Sequence, residues 1–322
     1  MKTPSTRLRA RLMLCAMAVA GVSLASHAAM AKGLLIGFSQ ATLQSPFYVQ
    51  LKNGAEAAAK ASGDEIVVLD ANGDVNKQNN DIQDLITKGV KVVIVNPVNP
   101  DAIAPALSAA AEAHIPVMTV DRTVHDDSIV TYVGRDNAQM GGLVGDAVVA
   151  HFAGHAKGLK VIEIQGDAGG TVMMARRDGF NKAAQAAGMK LVMGPYAEYA
   201  RSNAVTAMQD LLQANPDVKV VYAHNDDMAL GALQVLRENN RSDVIVAGVD
   251  GLSEAVKDIA TGNQYIATAL NDPVKLAQVM VAAAQQVAAG KKQPAFINAG
   301  TAAITKQNVG QFSTDDLFAH SK

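Results

Sequence analysis

The chain has 322 residues, of which 49% are apolar and 18% are charged, and its formal net charge is −2. This composition excludes an intrinsically disordered, collagen-like or coiled-coil protein. The length predicts two domains, at roughly 100 to 200 residues per domain. A nucleic-acid-binding chain would need a basic excess that this one lacks. The single cysteine, Cys15, excludes a disulfide framework or a cysteine-based metal cluster.

The N-terminus has the pattern of a secretory leader. Basic residues up to Arg11 precede an apolar run over residues 12–25, and Ala29-Met30-Ala31 places small residues where a signal peptidase reads them. The sequence therefore predicts a signal peptide over residues 1–31. The apolar run is shorter than the roughly 20 residues that span a bilayer. Cys15 lies too close to the arginines to serve as a lipid acceptor, so we expect a soluble exported chain without a thiol.

From Gly33 onward, short β-branched runs alternate with alanine-rich stretches of helical period, which is typical of βαβ units in a parallel sheet. The first strand is predicted over residues 34–39. Ser45-Pro46 then predicts a helix N-terminus, because serine caps helices and proline fits the first turn, and this helix is predicted to end near Ala61. Further strands are predicted over residues 65–69, 90–96, 117–120, 160–165, 191–193, 218–223, 244–249 and 265–269. A ligand site is expected beyond the carboxyl ends of the strands.

Two segments of the chain resemble each other. Gln83-Asp84-Leu85-Ile86 and the later Val120-Asp121 are echoed by Gln209-Asp210-Leu211-Leu212 and Val249-Asp250, about 126 to 129 residues further on. This spacing is too long for a solenoid repeat and favours a duplicated α/β domain. Chance similarity between two helix–strand units is the alternative.

Polar side chains collect at the predicted strand ends. Carboxylates, amides and guanidinium groups each make two directed hydrogen bonds to neighbouring hydroxyls, and aromatic rings stack on the apolar face of a sugar. The candidates are Ser39, Asp121, Arg122, Asn225, Asp250 and Asn271 at strand ends, Arg176 near the start of a helix, and the aromatic residues Phe47, Tyr48 and Tyr199. Together they predict a carbohydrate pocket. The alternative for each strand-end Asp or Asn is that it forms a turn or caps a helix.

Sequence signatures of enzymes are missing. The chain has no P-loop, no H-E-x-x-H motif and no G-x-S-x-G motif. His151 and His155 are four residues apart, but a solvated helix terminus is a better interpretation than a zinc site. The glycine-rich residues 166–170 lack the G-x-G-x-x-G register and favour a strand-to-helix turn over a phosphate-binding loop. The sequence therefore predicts no catalytic residue, no metal site and no cofactor.

The motifs of the chain, taken together, resemble those of the ribose-type periplasmic sugar-binding proteins, the substrate-binding components of ABC importers. The resemblance covers about residues 33–306. It is carried by Phe38-Ser39, Ser45-Pro46-Phe47-Tyr48, Leu51-Lys52-Asn53-Gly54-Ala55, Asn96-Pro97, Ile115-Pro116-Val117, Asp121-Arg122, Gln165-Gly166, Arg176-Arg177-Asp178-Gly179-Phe180, Asn225-Asp226-Asp227-Met228-Ala229-Leu230-Gly231-Ala232 and Gly248-Val249-Asp250-Gly251.

The resemblance implies an α/β fold of two Rossmann-like lobes with parallel sheets, joined by a three-strand hinge (periplasmic binding protein type I). The N-terminal lobe would comprise residues 32–135 plus 272–300, and the C-terminal lobe residues 136–271 plus 301–322. The hinge crossings would lie near Arg135-Asp136, Asn271-Asp272 and Gly300-Thr301.

The resemblance also implies which residues bind the ligand. Those that match the family in type are Ser39, Phe47, Asp121, Arg122, Arg176, Asn225 and Asp250. Four positions depart from the ribose binders: Tyr48 and Tyr199 stand where those have phenylalanine, Ser45 where they have asparagine, and Asn271 where they have glutamine. These departures keep the polar character of the pocket but change reach and hydrogen-bond count. The expected ligand is therefore ribose or a related pentose or hexose.

The expected partners are the monosaccharide and the membrane permease of an ABC importer, with a chemoreceptor as a further candidate. The protein is expected in the periplasm, as a monomer that binds no nucleic acid. Three alternatives remain. A binder of a cyclitol such as inositol would use the same pocket. An exported α/β enzyme acting on sugars would need a catalytic constellation, and a sugar-responsive repressor would need a DNA-binding domain where the leader stands.

Overall fold

The protein is described by a computed structural model, which covers residues 33–322. The predicted leader lies outside these residues. The first half of the fold consists of β1 (Leu35–Gln40), α1 (Pro46–Ala61), β2 (Glu65–Asp70), α2 (Val75–Thr87), β3 (Val92–Val95), α3 (Ala104–Glu112), β4 (Val117–Val120) and β5 (Ile129–Gly134). The second half consists of α4 (Asn137–His151), β6 (Lys160–Gln165), α5 (Thr171–Ala186), β7 (Lys190–Tyr196), α6 (Arg201–Ala214), β8 (Val218–Ala223), α7 (Asp226–Glu238), β9 (Ile245–Asp250), α8 (Ser253–Thr261) and β10 (Tyr265–Leu270). The chain ends with α9 (Pro273–Ala288), β11 (Phe296–Asn298), β12 (Ala303–Thr305), β13 (Phe312–Ser313) and β14 (His320–Ser321).

Two six-stranded sheets organise these elements. One has the order β11-β5-β4-β3-β1-β2 and the other the order β12-β10-β9-β8-β6-β7. Within these two sheets every pairing is parallel except that of β12 with β10, and the separate β13–β14 pair is antiparallel. We call the first sheet with α1, α2, α3 and α9 the N-lobe, and the second sheet with the helices α4 to α8 the C-lobe. Strands β1 to β5 and β6 to β10 occupy matching places. The echoed segments fall in the matching helices α2 and α6 and at the carboxyl ends of the matching strands β4 and β9.

Five of these strands were not expected from the sequence. Strand β5 follows a polar loop, while β11 and β12 have three residues each and the β13–β14 pair two each. Strands this short carry no period of their own, so pairing with β5 and β10 is what keeps β11 and β12 extended. The other strands lie where they were predicted, within a few residues at their ends.

The chain passes between the lobes three times. After β5 it enters α4, which packs on α5, β9 and β10, and after β10 it enters α9, which packs on α1 and β5. The third passage runs from β11 to β12. The residue boundaries given above for the lobes stay a prediction.

The C-terminal segment adds a contact between the lobes. It is attached to the C-lobe, where the backbone N–H of Ser253 donates to the carbonyl of Leu317 at 2.9 Å. Its Phe318 is buried and meets Phe47 of α1 edge-to-face, with ring centroids 6.0 Å apart.

Within residues 33–322, every helix is too short or too polar to cross a membrane.

Candidate functional site

A cavity lies between the lobes, at the carboxyl ends of both sheets. It is lined by Ser45, Phe47, Tyr48, Asp121, Val172, Arg176, Tyr199, Asn225, Asp250 and Asn271. In parallel sheets of this order the loops after the strands meet at one edge, which brings these distant residues together. The cavity thus gathers the predicted residues except Ser39 and Arg122. It adds Val172, an apolar residue in the first turn of α5 that no sequence motif singles out.

The two exceptions lie nearby but serve other contacts. The hydroxyl of Ser39 in β1 is fully buried and accepts a hydrogen bond from Gln78 of α2 at 3.2 Å, on the side of the sheet away from α1. Arg122 lines a larger cavity of about 1000 Å³ at the mouth of the cleft. The structure therefore does not bring Ser39 to the inner cavity, and it places Arg122 at the entrance.

The start of α1 forms the aromatic wall of the site. Ser45 is its N-cap, with Oγ accepting from the backbone N–H of Phe47 at 3.3 Å, and Pro46 occupies the first turn. Phe47 and Tyr48 are both buried and edge-to-face, with centroids 5.6 Å apart. Burial raises the pKa of the Tyr48 hydroxyl, which therefore keeps its proton and can act as a hydrogen-bond donor.

Each lobe supplies one aspartate from a matching position. Asp121 directly follows β4 and Asp250 ends β9, and both have positive φ angles, 62° and 127°. Such angles are unusual for residues other than glycine and are held by the surrounding structure. The carbonyl of Asp121 accepts from the Tyr132 hydroxyl at 2.9 Å, which helps to hold that conformation. The duplicated topology thus provides the cavity with two carboxylates from opposite sides.

The two carboxyl groups are buried. Burial raises the pKa of Asp121, against the opposing effect of Arg122. Burial also raises the pKa of Asp250 to about 7, although the nearby Arg176 guanidinium favours the charged form. Asp250 is thus paired with Arg176, and Asp121 is influenced by the charge of Arg122, in a site sheltered from water.

Arg176 is the central cation of the C-lobe side. Its guanidinium donates to Asn137 Oδ1 at 2.9 Å and to the carbonyl of His224 at 2.6 Å, and it pairs with Asp250 Oδ1 at 3.3 Å. Burial lowers the pKa of Arg176, but Asp250 and other acidic neighbours raise it more, so the net shift is upward. The side chain is 3% exposed and stays charged.

Glycines fix the backbone that carries Arg176. A β-carbon at Gly141 of α4 would collide with the carbonyl of Arg176, and one at Gly179 of α5 would collide with the carbonyl of Ala138. Helices α4 and α5 therefore touch through their main chains. The position of the guanidinium is set by this contact as well as by its hydrogen bonds.

Asn225 combines both roles that the sequence left open. Its Oδ1 caps α7 by accepting from the backbone N–H of Met228 at 2.9 Å, and its Nδ2 donates to the carbonyl of Tyr199 at 3.2 Å. The residue lines the cavity and is also a helix cap. Through the second bond it holds the turn that presents the Tyr199 ring.

Tyr199 closes the cavity from the C-lobe. It follows Glu198 in a turn where both residues have left-handed φ angles, 52° and 56°. Its ring lies on Gly166, where any β-carbon would overlap the ring. The Tyr199 hydroxyl is buried and has no hydrogen-bond partner among residues 33–322. It is a polar group free to meet a ligand.

An ion pair crosses the cleft at its entrance. Arg122 Nη2 of the N-lobe lies 3.2 Å from Asp167 Oδ2 of the C-lobe, and the two side chains are 12% and 18% exposed. The guanidinium also lies over the Tyr48 ring, 5.8 Å from its centroid. Asp167 belongs to the glycine-rich stretch over residues 166–170, which joins β6 to α5, and sequence reasoning did not anticipate its cross-lobe partner.

A buried pair lies beneath the C-lobe side of the site. His224 Nδ1 accepts from the backbone N–H of Gly166 at 3.2 Å, so Nε2 carries the proton and donates to Glu163 Oε1 at 2.6 Å. Burial lowers the pKa of His224, which agrees with a neutral ring. Glu163 interrupts the apolar residues 161–164 of strand β6, and this buried acidic residue was the signal in the sequence for such a partner. Residues 33–322 contain no group of three or more acidic, histidine or cysteine side chains arranged to hold a metal ion.

These side chains define the chemistry that the cavity supports. It offers carboxylate and hydroxyl acceptors, guanidinium, amide and phenol donors, and aromatic walls, contributed by both lobes. Such a set suits a small, uncharged ligand that carries many hydroxyl groups. The fold and the cavity together define a two-lobed ligand-binding protein.

Comparison with known proteins agrees with this class. A family model described as the periplasmic binding protein domain matches residues 36–292. The chain is 37% identical over 290 residues to the ribose import binding protein RbsB of Escherichia coli, with 90% of this chain and 96% of that protein covered. The chain therefore belongs to the periplasmic binding protein family, and the predicted α/β fold of two lobes is confirmed.

Solved structures give the same result. An ABC transporter solute binding protein from Mycobacterium smegmatis with bound glycerol is 55% identical, with a TM-score of 0.86, and the match covers 90% of this chain and 100% of that chain. An ABC transporter solute binding protein from Bacillus halodurans with bound myo-inositol is 26% identical, with a TM-score of 0.79, and the match covers 87% and 97%.

Proposed function

We propose that the protein is the exported substrate-binding component of an ABC importer and captures a monosaccharide between its lobes. The observation that carries this proposal is the cavity in which Asp121 of the N-lobe faces Arg176 and Asp250 of the C-lobe. A ligand there would bond to both lobes at once. The names of the relatives described above, a ribose import binding protein and ABC transporter solute binding proteins, support the same function.

The mechanism is a ligand-driven closure. A hydroxylated ligand bound to one lobe gains the hydrogen bonds of the other lobe only when the cleft is closed, so it favours the closed form by its differential affinity. The closed form is then the signal that the permease reads. Asp121 and Asp250 act as hydrogen-bond acceptors in this scheme, and no bond of the ligand is broken. The residues proposed to contact the ligand are Ser45, Phe47, Tyr48, Asp121, Arg176, Tyr199, Asn225, Asp250 and Asn271.

A cyclitol or other polyol is the second candidate ligand. The Tyr199 hydroxyl, buried and without a partner among residues 33–322, adds a polar group to the aromatic wall. A ligand with hydroxyl groups on every ring carbon could satisfy it, whereas an apolar ring face could not. The relative from Bacillus halodurans was solved with myo-inositol, which supports including this class.

Location and partners complete the proposal. The leader over residues 1–31 would direct the chain to the periplasm, where a permease and a chemoreceptor are candidate partners and the chain would act as a monomer. We expect N-terminal sequencing of periplasmic material to begin at Lys32. Exported protein that retains Met1 would contradict the predicted cleavage.

Ligand screening tests the function directly. Thermal shift would be measured with D-ribose, D-galactose, myo-inositol and xylitol, followed by calorimetry on the hits. A ligand at about 100 times its Kd stabilises the folded state by about 2.7 kcal/mol. The same mixtures would be analysed for turnover, because a sugar-acting enzyme would change the compound while a binding protein returns it intact. A flat thermal shift with all hydroxylated compounds would refute the proposal.

A further inference from the structure

Arg135 lies at the first passage between the lobes, immediately after β5. Its guanidinium donates from Nε to the carbonyl of Gly300 at 2.7 Å, from Nη1 to Asn271 Oδ1 at 2.7 Å, and from Nη2 to the carbonyl of Asp272 at 2.8 Å. Asn271 and Asp272 form the second passage, and Gly300 lies in the third. One side chain thus bonds to both other connections between the lobes.

The environment of Arg135 is unusual for an arginine. The residue is 5% exposed, and no carboxylate within residues 33–322 lies within ion-pair distance of it. Burial lowers its pKa to about 10. A buried cation without a carboxylate is costly unless its donors are satisfied. The three short bonds satisfy one donor on each nitrogen, and only a planar fork reaches three acceptors in these directions.

Arg135 also determines how Asn271 faces the cavity. Since a guanidinium can only donate, the side-chain oxygen of Asn271 must face Arg135 and its Nδ2 must face away. Nδ2 donates to Asp250 Oδ1 at 2.9 Å, the oxygen that also pairs with Arg176 at 3.3 Å. Among residues 33–322, both side chains that bond to the Asp250 carboxylate use Oδ1, which leaves Oδ2 as the acceptor for a ligand in the cavity.

We propose that Arg135 is a positioning residue that ties the three hinge connections into one unit and, through Asn271, orients Asp250 for the ligand. Without the guanidinium of Arg135 and its three hydrogen bonds, the three connections could change their backbone angles independently. The side-chain amide of Asn271 could then also rotate by about 180°. The orientation of Asp250, which we call the ligand half of this inference, rests on the proposed function. The linking of the three connections, which we call the hinge half, requires no ligand.

The hinge half is tested on ligand-free protein by spin-label distance measurements. Cys15 is the single cysteine of the sequence, so a Cys15→Ser background has none. Cysteines that carry the spin labels can then be introduced at the exposed positions Ser108 of α3 and Gln209 of α6. We expect Arg135→Lys and Arg135→Gln to broaden the distance distribution between the lobes. Gln removes the buried charge, so broadening in both variants cannot come from an unsatisfied cation.

The matched control for the hinge is Arg241→Lys. Arg241 also donates to a carbonyl, that of Val218 at 3.1 Å, but within the C-lobe alone. This control should leave the distribution unchanged. Distributions of Arg135→Lys and Arg135→Gln that coincide with that of the parent protein would overturn the hinge role.

The ligand half is tested by a double-mutant cycle on affinity for D-ribose, or for myo-inositol if ribose does not bind. We expect Arg135→Lys to weaken binding by about ten-fold in the parent protein but to have little effect in an Asn271→Ala background, because the orientation acts through that amide. Equal losses in both backgrounds would overturn the link to Asp250. Failure of every probe to bind the parent protein would instead refute the proposed function, and the distance measurements would still decide the hinge role.

Discussion

The ion pair across the cleft entrance should contribute measurably to closure. Asp167→Asn removes the charge that faces Arg122 and keeps the volume and one acceptor oxygen. Exposed ion pairs contribute up to about 1 kcal/mol, and removing one partner of a fully buried pair costs about 3 to 5 kcal/mol. With side chains 12% and 18% exposed and a separation of 3.2 Å, this pair lies between the two cases. Since asparagine can still accept from the guanidinium, we expect a loss of about 1.5 kcal/mol in the free energy of closure.

That loss corresponds to about a ten-fold smaller ratio of closed to open protein. When the closed form is the minor form without ligand, the apparent Kd rises by the same factor. Calorimetry with the best ligand of the screen would measure the Kd, and small-angle scattering at one subsaturating ligand concentration would detect a larger mean radius of gyration, because less of the variant is closed. Asp217→Asn is the matched control, because Asp217 pairs with Lys160 at 2.6 Å within the C-lobe. An Asp167→Asn variant with unchanged Kd and radius would show that the pair does not assist closure.

Three further substitutions test the site and its electrostatics. Asp121→Asn keeps a residue type that tolerates the left-handed φ of 62°. It should weaken ligand binding by about 1.5 to 3 kcal/mol without lowering the Tm. Unchanged affinity in calorimetry would show that Asp121 only forms the turn and does not bind the ligand. Ser45→Asn keeps the helix cap and adds reach, so it should shift preference toward ribose over a larger ligand by about 1 kcal/mol in a competition titration; an unaltered ratio would show that Ser45 does not select the ligand. Burial raises the pKa of Asp226 to about 6, so the folded state binds a proton more tightly than the unfolded state. The free energy of unfolding should therefore fall by about 2 kcal/mol as pH rises from 4 to 7. Urea unfolding of Asp226→Asn should lack this component, and a stability gap to the parent protein that is the same at both pH values would contradict it.

The sequence predicted the strands that have a signal of their own. Runs such as residues 117–120 and 218–223 are apolar, β-branched and bounded by turns, so their position needs no knowledge of the partner strand. Strands β11 and β12 exist only through pairing with β5 and β10, which are far away in sequence. Local pattern cannot predict a strand whose stability comes from long-range pairing.

The site was predicted to the extent that it depends on topology. Asp121 and Asp250 could be placed because the carboxyl ends of parallel strands meet at one edge. Which face of a strand a residue occupies was harder to predict. Strand β1 is buried on both sides and shows no alternation of polar and apolar residues. The sequence therefore gave no indication that the Ser39 hydroxyl faces Gln78. Arg135 was named only as a crossing, because its three acceptors come together only when the hinge is folded.

The contact between α4 and α5 limits how this pocket can be altered. Because a side chain at Gly141 or Gly179 would strike main-chain carbonyls, the support of Arg176 tolerates almost no mutation. The residues leading into α1 carry no such restriction, and in the Tyr199 turn the restriction is the left-handed backbone and the glycine at position 166. A directed-evolution library for new ligands should therefore randomise Ser45, Tyr48 and Tyr199 and keep both glycines fixed. Natural changes of ligand preference should likewise occur in the loops around the site, while the contact between α4 and α5 stays unchanged.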